Sequence, residues 1–146
     1  MATDAKKMAN DFSKVWNSHD VNGILDFYTD DFIYEDLALG IVKHGKKEFT
    51  DYINSMFVDF PDIKWEVKSA FGTNYWQANE WIMSGAHAHS TMTKNAIPAT
   101  GKTFSIRVAG IYQLRNGKYY RETIYMNMVT FLQQTGLMPT QLNAVK

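Results

Sequence analysis

The chain has 146 residues, 15 basic and 15 acidic side chains, no cysteine and 45% hydrophobic residues. That length suits one domain burying roughly two-thirds of its surface, and the apolar fraction excludes disorder. Balanced charge leaves no field for a phosphate backbone, absent cysteine removes disulfides and thiolate chemistry, and no run reaches the ~18 apolar residues of a membrane span.

No nucleic acid or membrane partner is therefore expected, and the chain reads as cytoplasmic. Met8, Phe12, Val15 and Trp16 mark one face of a first helix after Thr3-Asp4. Asp20 can cap a second short helix carrying Val21, Ile24, Leu25 and Tyr28. Phe32 to Asp36 reads as a short strand ending in acids. Gly45 precedes a third helix with Phe49, Tyr52, Ile53, Met56 and Phe57 inward, stopped at Phe60-Pro61.

The second half alternates with period two. Ile63, Trp65 and Val67 form one strand, Tyr75 to about Thr91 a long second, and Phe104 to Leu114 a third. Asn116-Gly117 is a hairpin signal, and Lys118 to Val129 returns, with Thr130 to Gly136 leaving the sheet. Helices followed by hairpin-connected strands predict an α+β domain: a curled, cone-shaped antiparallel sheet around the N-terminal helices. Nine Phe, eight Tyr, four Trp and eight Met suit a core and equally the wall of a cavity in that cone.

Trp16, His19-Asp20, Asp30-Asp31, Phe60-Pro61-Asp62, Gly85-Ala86-His87, Pro98-Ala99-Thr100-Gly101-Lys102 and Gln134-Thr135-Gly136 together resemble the SnoaL-like polyketide cyclases. These belong to the nuclear transport factor 2-like, or ketosteroid-isomerase-like, superfamily. The resemblance implies a single SnoaL-like domain over residues 1–146, with a deep apolar cavity and a dimeric or tetrameric assembly. It implies aldol ring closure without metal or cofactor.

The family's acid/base Asp, about seven residues before the Gln of the Gln-x-Gly ending, falls on Asn127. An amide exchanges no proton near pH 7, although it can hydrogen-bond a carbonyl or enolate. His87 matches the histidine of the family's Gly-Thr-His stretch, and alternation places Met83, Gly85, His87 and His89 on one face. Two strand imidazoles lack a third ligand, so no metal site is expected. Asp36 stands where ketosteroid isomerases carry a proton-shuttling Asp, and burial there would raise its pKa.

Trp16, Tyr34, Tyr125 and Arg107 complete the candidate wall, with Arg107 expected in an internal ion pair to Glu80 or Glu122. Tyr125 and Asn127 share a strand face. Two functions remain open on these residues. One is a cyclase, isomerase or lyase acting on a small apolar or aromatic carbonyl compound; the other is a non-catalytic binder of such a ligand. Apolar side chains on both faces of the last strand predict a homodimer or larger assembly through the outer sheet face.

Overall fold

A computed structural model of the chain describes residues 4–139. Its first helix, α1 (Ala5–Asn17), starts where the Asp4 carboxylate accepts the Lys7 N–H at 3.0 Å. Ala9, Phe12 and Trp16 are buried at spacings of three and four. His19, at φ 55°, turns the chain into α2 (Val21–Leu25), and Asp20 caps that helix through Gly23 N at 2.9 Å. Tyr28 does not extend α2 as the helical spacing suggested. It opens β1 (Tyr28–Asp36), where period-two burial of Phe32, Tyr34 and Asp36 takes over.

A turn at Leu37–Gly40 then returns the chain as β2 (Ile41–His44), a strand too short to be marked in the sequence. The third helix, α3 (Gly45–Asp59), buries Phe49, Tyr52, Ile53 and Met56, as its spacing predicts. Four longer strands follow: β3 (Lys64–Gly72), β4 (Trp76–Ala86), β5 (Thr103–Arg115) and β6 (Lys118–Met126). Asn116 and Gly117, at φ 53° and 76°, supply the left-handed pair a two-residue hairpin turn requires. α4 (Met128–Gln134) leaves the sheet.

The six strands form one sheet in the order β2-β1-β6-β5-β4-β3. The domain is α+β, with a curved open sheet and the helices packed on its inner face. All neighbours are antiparallel except β1 and β6, which run parallel. The hairpin-only topology expected from sequence therefore describes β3 to β6 and not the β1–β6 junction.

Two amide side chains fasten the layers. Asn17 exchanges two hydrogen bonds with the Trp65 backbone, at 2.7 and 3.0 Å, pinning α1 to β3. Gln134 does the same with Ser105, at 2.6 and 3.2 Å, pinning α4 to β5. Between the layers the Phe12 ring meets Tyr119, Tyr28, Trp81 and Tyr112, edge-on, at 5.4–6.4 Å. No helix among the described residues is long and apolar enough to cross a membrane.

Candidate functional site

A cavity opens between the inner sheet face, α1, α3, α4 and the connection 87–102. It encloses about 870 Å³ of space when its solvent-open mouth is included. Aromatic and aliphatic side chains such as Trp16, Trp65, Trp81, Ile106 and Phe131 dominate its lining. The polar groups are few and lie in three places.

Asp36 ends β1 with its side chain fully buried in the cavity wall. Its carboxylate accepts the Leu39 N–H at 3.0 Å and the Tyr52 hydroxyl at 3.3 Å. The Tyr34 hydroxyl lies 3.3 Å from that of Tyr52. Tyr52 has one proton and directs it to Asp36, so Tyr34 donates to Tyr52 and the three groups form a relay. Burial raises the Asp36 pKa, and the hydrogen bonds from Leu39 and Tyr52 oppose the rise. Burial first, and neighbouring charge second, holds both tyrosines protonated far above neutrality.

Glu122 is the second polar group, 4% exposed and on β6 beside Tyr34 of β1. Its Oε1 accepts the hydroxyl of Tyr28, and the Tyr112 hydroxyl faces it from β5. Burial pushes its carboxyl up to about 7; the tyrosines oppose this, and the Asp36 charge adds to it. Tyr112 reaches this position because Gly110 has no side chain. A Cβ at Gly110 would stand 2.5 Å from the Tyr112 hydroxyl.

His87 and Asp59 form the third group. The His87 ring packs between Phe60 and Phe131, 5.2 and 5.3 Å away, and its Nδ1 has no hydrogen-bond partner. Burial lowers its pKa against the pull of Asp59, leaving a neutral imidazole at pH 7. Asp59, buried at the end of α3, accepts Thr91 N, Thr91 Oγ1 and Met92 N at 2.7, 2.6 and 2.9 Å. Its backbone carbonyl also accepts from Ala88 and His89. One residue thus ties down the connection whose Met92, Thr93 and Ile97 cover the cavity.

Of the residues singled out from sequence, Trp16, Tyr34, Asp36 and His87 meet at the cavity. Four do not. β4 ends at Ala86, so alternation stops before the histidines, and His89 is exposed on the following connection. Tyr125, 49% exposed, points from the outer sheet face. Arg107 is on that face too, in an exposed 3.1 Å ion pair with Glu80 and far from an internal guanidinium. Asn127 is exposed and caps α4, its side chain accepting Thr130 N at 3.2 Å.

Glu122 and Asp59 went unrecognised as site residues. The alternation of Ile124 and Met126 would have revealed Glu122, which shares their parity. Among the described residues, no group of three or more His, Asp or Glu side chains is placed to hold a metal ion.

A family model described as SnoaL-like polyketide cyclase matches residues 6–135. The chain belongs to that family. A search of curated proteins finds no match for this SnoaL-like domain. Among solved structures, it resembles AclR of Streptomyces galilaeus, a proposed hydroxylase, at 20% identity and TM-score 0.76, covering 94% of this chain and 88% of that one. It resembles IdmH of Streptomyces antibioticus, a proposed polyketide cyclase, at 18% identity and TM-score 0.74, covering 92% and 99%. A ketosteroid-isomerase-like protein of Catenulispora acidiphila, in complex with trimethylamine, aligns at 14% identity and TM-score 0.77, covering 94% and 98%. At these identities the likeness is one of fold.

Proposed function

We propose that this SnoaL-like domain is a cofactor-independent cyclase or isomerase that moves protons on an apolar carbonyl compound held in the cavity. The observation that carries the reading is Asp36, a buried carboxylate in an apolar wall with a tyrosine relay behind it. Ring closure and isomerisation both begin with removal of a proton from the carbon beside a carbonyl. A carboxylate held out of water, with a raised pKa, suits that step. Tyr52 holds the Asp36 oxygen in place, and Tyr34 holds Tyr52.

The aromatic wall favours a flat, weakly polar substrate bound by burial and stacking. Asn127 has no part in this reading, because its side chain is committed to the α4 cap. His87, neutral and part of the cavity lining, is the candidate for orienting the far end of the substrate. The exposed apolar outer face supports self-association as part of the same proposal.

The test is hydrogen–deuterium exchange at the carbon between ring and carbonyl of 2-tetralone, a flat apolar ketone, followed by NMR. Asp36→Asn should slow enzyme-dependent exchange by ~10²–10⁴ while tryptophan quenching by the ketone is retained. Equal exchange by both proteins would remove Asp36 as the base.

A further inference from the structure

Two carboxyl groups project from adjacent parallel strands into one cavity, and their surroundings differ. Asp36, at the end of β1, receives a backbone N–H and the Tyr52 hydroxyl. Both bonds favour the ionised form. Glu122 sits one pleat deeper, at the level of Tyr34, and receives no backbone N–H. Its neighbours are hydroxyls: Tyr28 and Tyr34 from β1, Tyr112 from β5, Tyr119 from β6 and Tyr52 from α3. Among the described residues no lysine or arginine lines this cavity, and the nearby charge acting on Glu122 is that of Asp36. Glu122 also lines the cavity, so it is open to a ligand on one side.

We propose that Glu122 is the second catalytic residue of the site, a carboxylic acid that donates its proton to the carbonyl oxygen of the substrate while Asp36 takes the carbon-bound proton. The inference rests on the proton-transfer reading above and assigns the oxygen side of that reaction. Two carboxyls in one apolar cavity resist ionising together, so the less hydrogen-bonded one keeps its proton. The carboxyl that stays protonated to about pH 7 is Glu122.

The step balances without any further reactant. The Asp36 carboxylate takes the proton from carbon, and the C–H electron pair becomes the new carbon–carbon double bond. The carbonyl pair moves onto oxygen, which takes the proton of Glu122 and gives an enol. In isomerisation, Asp36 returns its proton to a different carbon and Glu122 recovers its own from oxygen. In ring closure, the enol carbon attacks a second carbonyl, whose oxygen takes the proton held by Asp36. The enol oxygen returns its proton to Glu122. Both carboxyls end as they began.

Two readouts on the whole protein test the assignment. The first is the titration midpoint of Glu122, followed by carboxyl ¹³C NMR with and without saturating 2-tetralone. A hydrogen bond donated by the protonated Glu122 carboxyl to the ketone oxygen raises that midpoint, and an unchanged midpoint with the ketone bound overturns the proposal. The second is the pH profile of 2-tetralone exchange. The unmodified protein should lose rate as pH rises through about 7, where Glu122 gives up its proton.

Glu122→Gln keeps the shape and an acceptor for Tyr28. It should erase that alkaline limb and slow exchange by at least about tenfold, towards the ~10²–10³ loss seen when an oxyanion donor is removed. An unaltered rate and limb in the Gln variant mark Glu122 as structural and overturn the proposal. A raised midpoint without any exchange sinks the proton-transfer function while leaving Glu122 as the group that binds the oxygen. Failure of the ketone to bind removes both.

Discussion

Tyr28 and Glu122, 94 positions apart in sequence, share a buried hydrogen bond that joins the first strand of the sheet to the last. The tyrosine donates and the carboxyl accepts, with Glu122 in the wall of an apolar cavity. The bond places a titratable group where water does not solvate it.

That placement predicts a pH-dependent stability. The folded pKa of Glu122 lies above its ordinary value of 4.5, at about 7. A raised pKa means the protonated form fits the fold better. The stabilisation is therefore complete below about pH 4.5 and is lost as pH rises through about 7. The full loss amounts to about 3 kcal/mol. Urea unfolding at pH 5 and pH 8 should show the unmodified protein losing stability relative to Glu122→Gln by that order. Parallel behaviour of the two proteins across this range would show that Glu122 ionises freely in the fold.

Asp59 predicts a different phenotype. Asp59→Ala leaves the part-buried N–H groups of Thr91 and Met92 without their acceptor, at a cost of about 1 kcal/mol for each hydrogen bond lost. The connection 87–102 should then be cut faster by proteases, and ketone dissociation measured by stopped-flow quenching should accelerate. Unchanged protease sensitivity of that segment would show that other contacts hold it.

Asn127 gives a sharp contrast. Asp is as good a helix cap as Asn, so Asn127→Asp should fold normally and show no gain in ketone exchange, because the new carboxyl points away from the cavity. Asn127→Ala should cost about 1 kcal/mol through loss of the cap. A gain of exchange in the Asp variant would mean that the side chain turns inward when substrate binds.

The outer sheet face leaves Trp76, Ile111 and Tyr125 at 51%, 38% and 49% exposure, a grouping usual for an interface. Sedimentation at micromolar concentration should give a dimer or larger. Ile111→Lys should shift the protein towards monomer with little effect on stability. A monomer at the outset would return this face to solvent.

The first three helices and the β5–β6 hairpin are legible because each announces itself locally, through three-four spacing, a capping Asp or an Asn-Gly turn. Strand phase was less legible. Counting from a family motif puts Asn127 inside and period two takes Tyr125 with it, although Ile124 and Met126 carry the inward parity. A bulge at Tyr120, between the pairs Leu114–Tyr119 and Gln113–Arg121, shifts that parity along β6. With Tyr119 and Glu122 both buried, no simple alternation runs through the strand. Asp36 and Tyr34 are readable because β1 alternates strictly from Phe32 to its end. Asp59 carries no sequence signal, since its partners Thr91 and Met92 lie 32 and 33 positions away.

The parallel pairing of β1 with β6 also governs how the molecule comes into being. β3, β4, β5 and β6 can zip together in sequence, each strand meeting the one before it. β1 and β2, made first, must wait beside α1 and α3 until nearly the whole chain is available. Until then β1 presents an unpaired edge rich in Tyr and Phe, the kind of surface that joins neighbouring chains. Closing so long a loop makes assembly slow for a domain of this size. A nascent or truncated chain ending before Lys118 would thus be prone to aggregate, and the acid-lined cavity would come into existence only with the final strand.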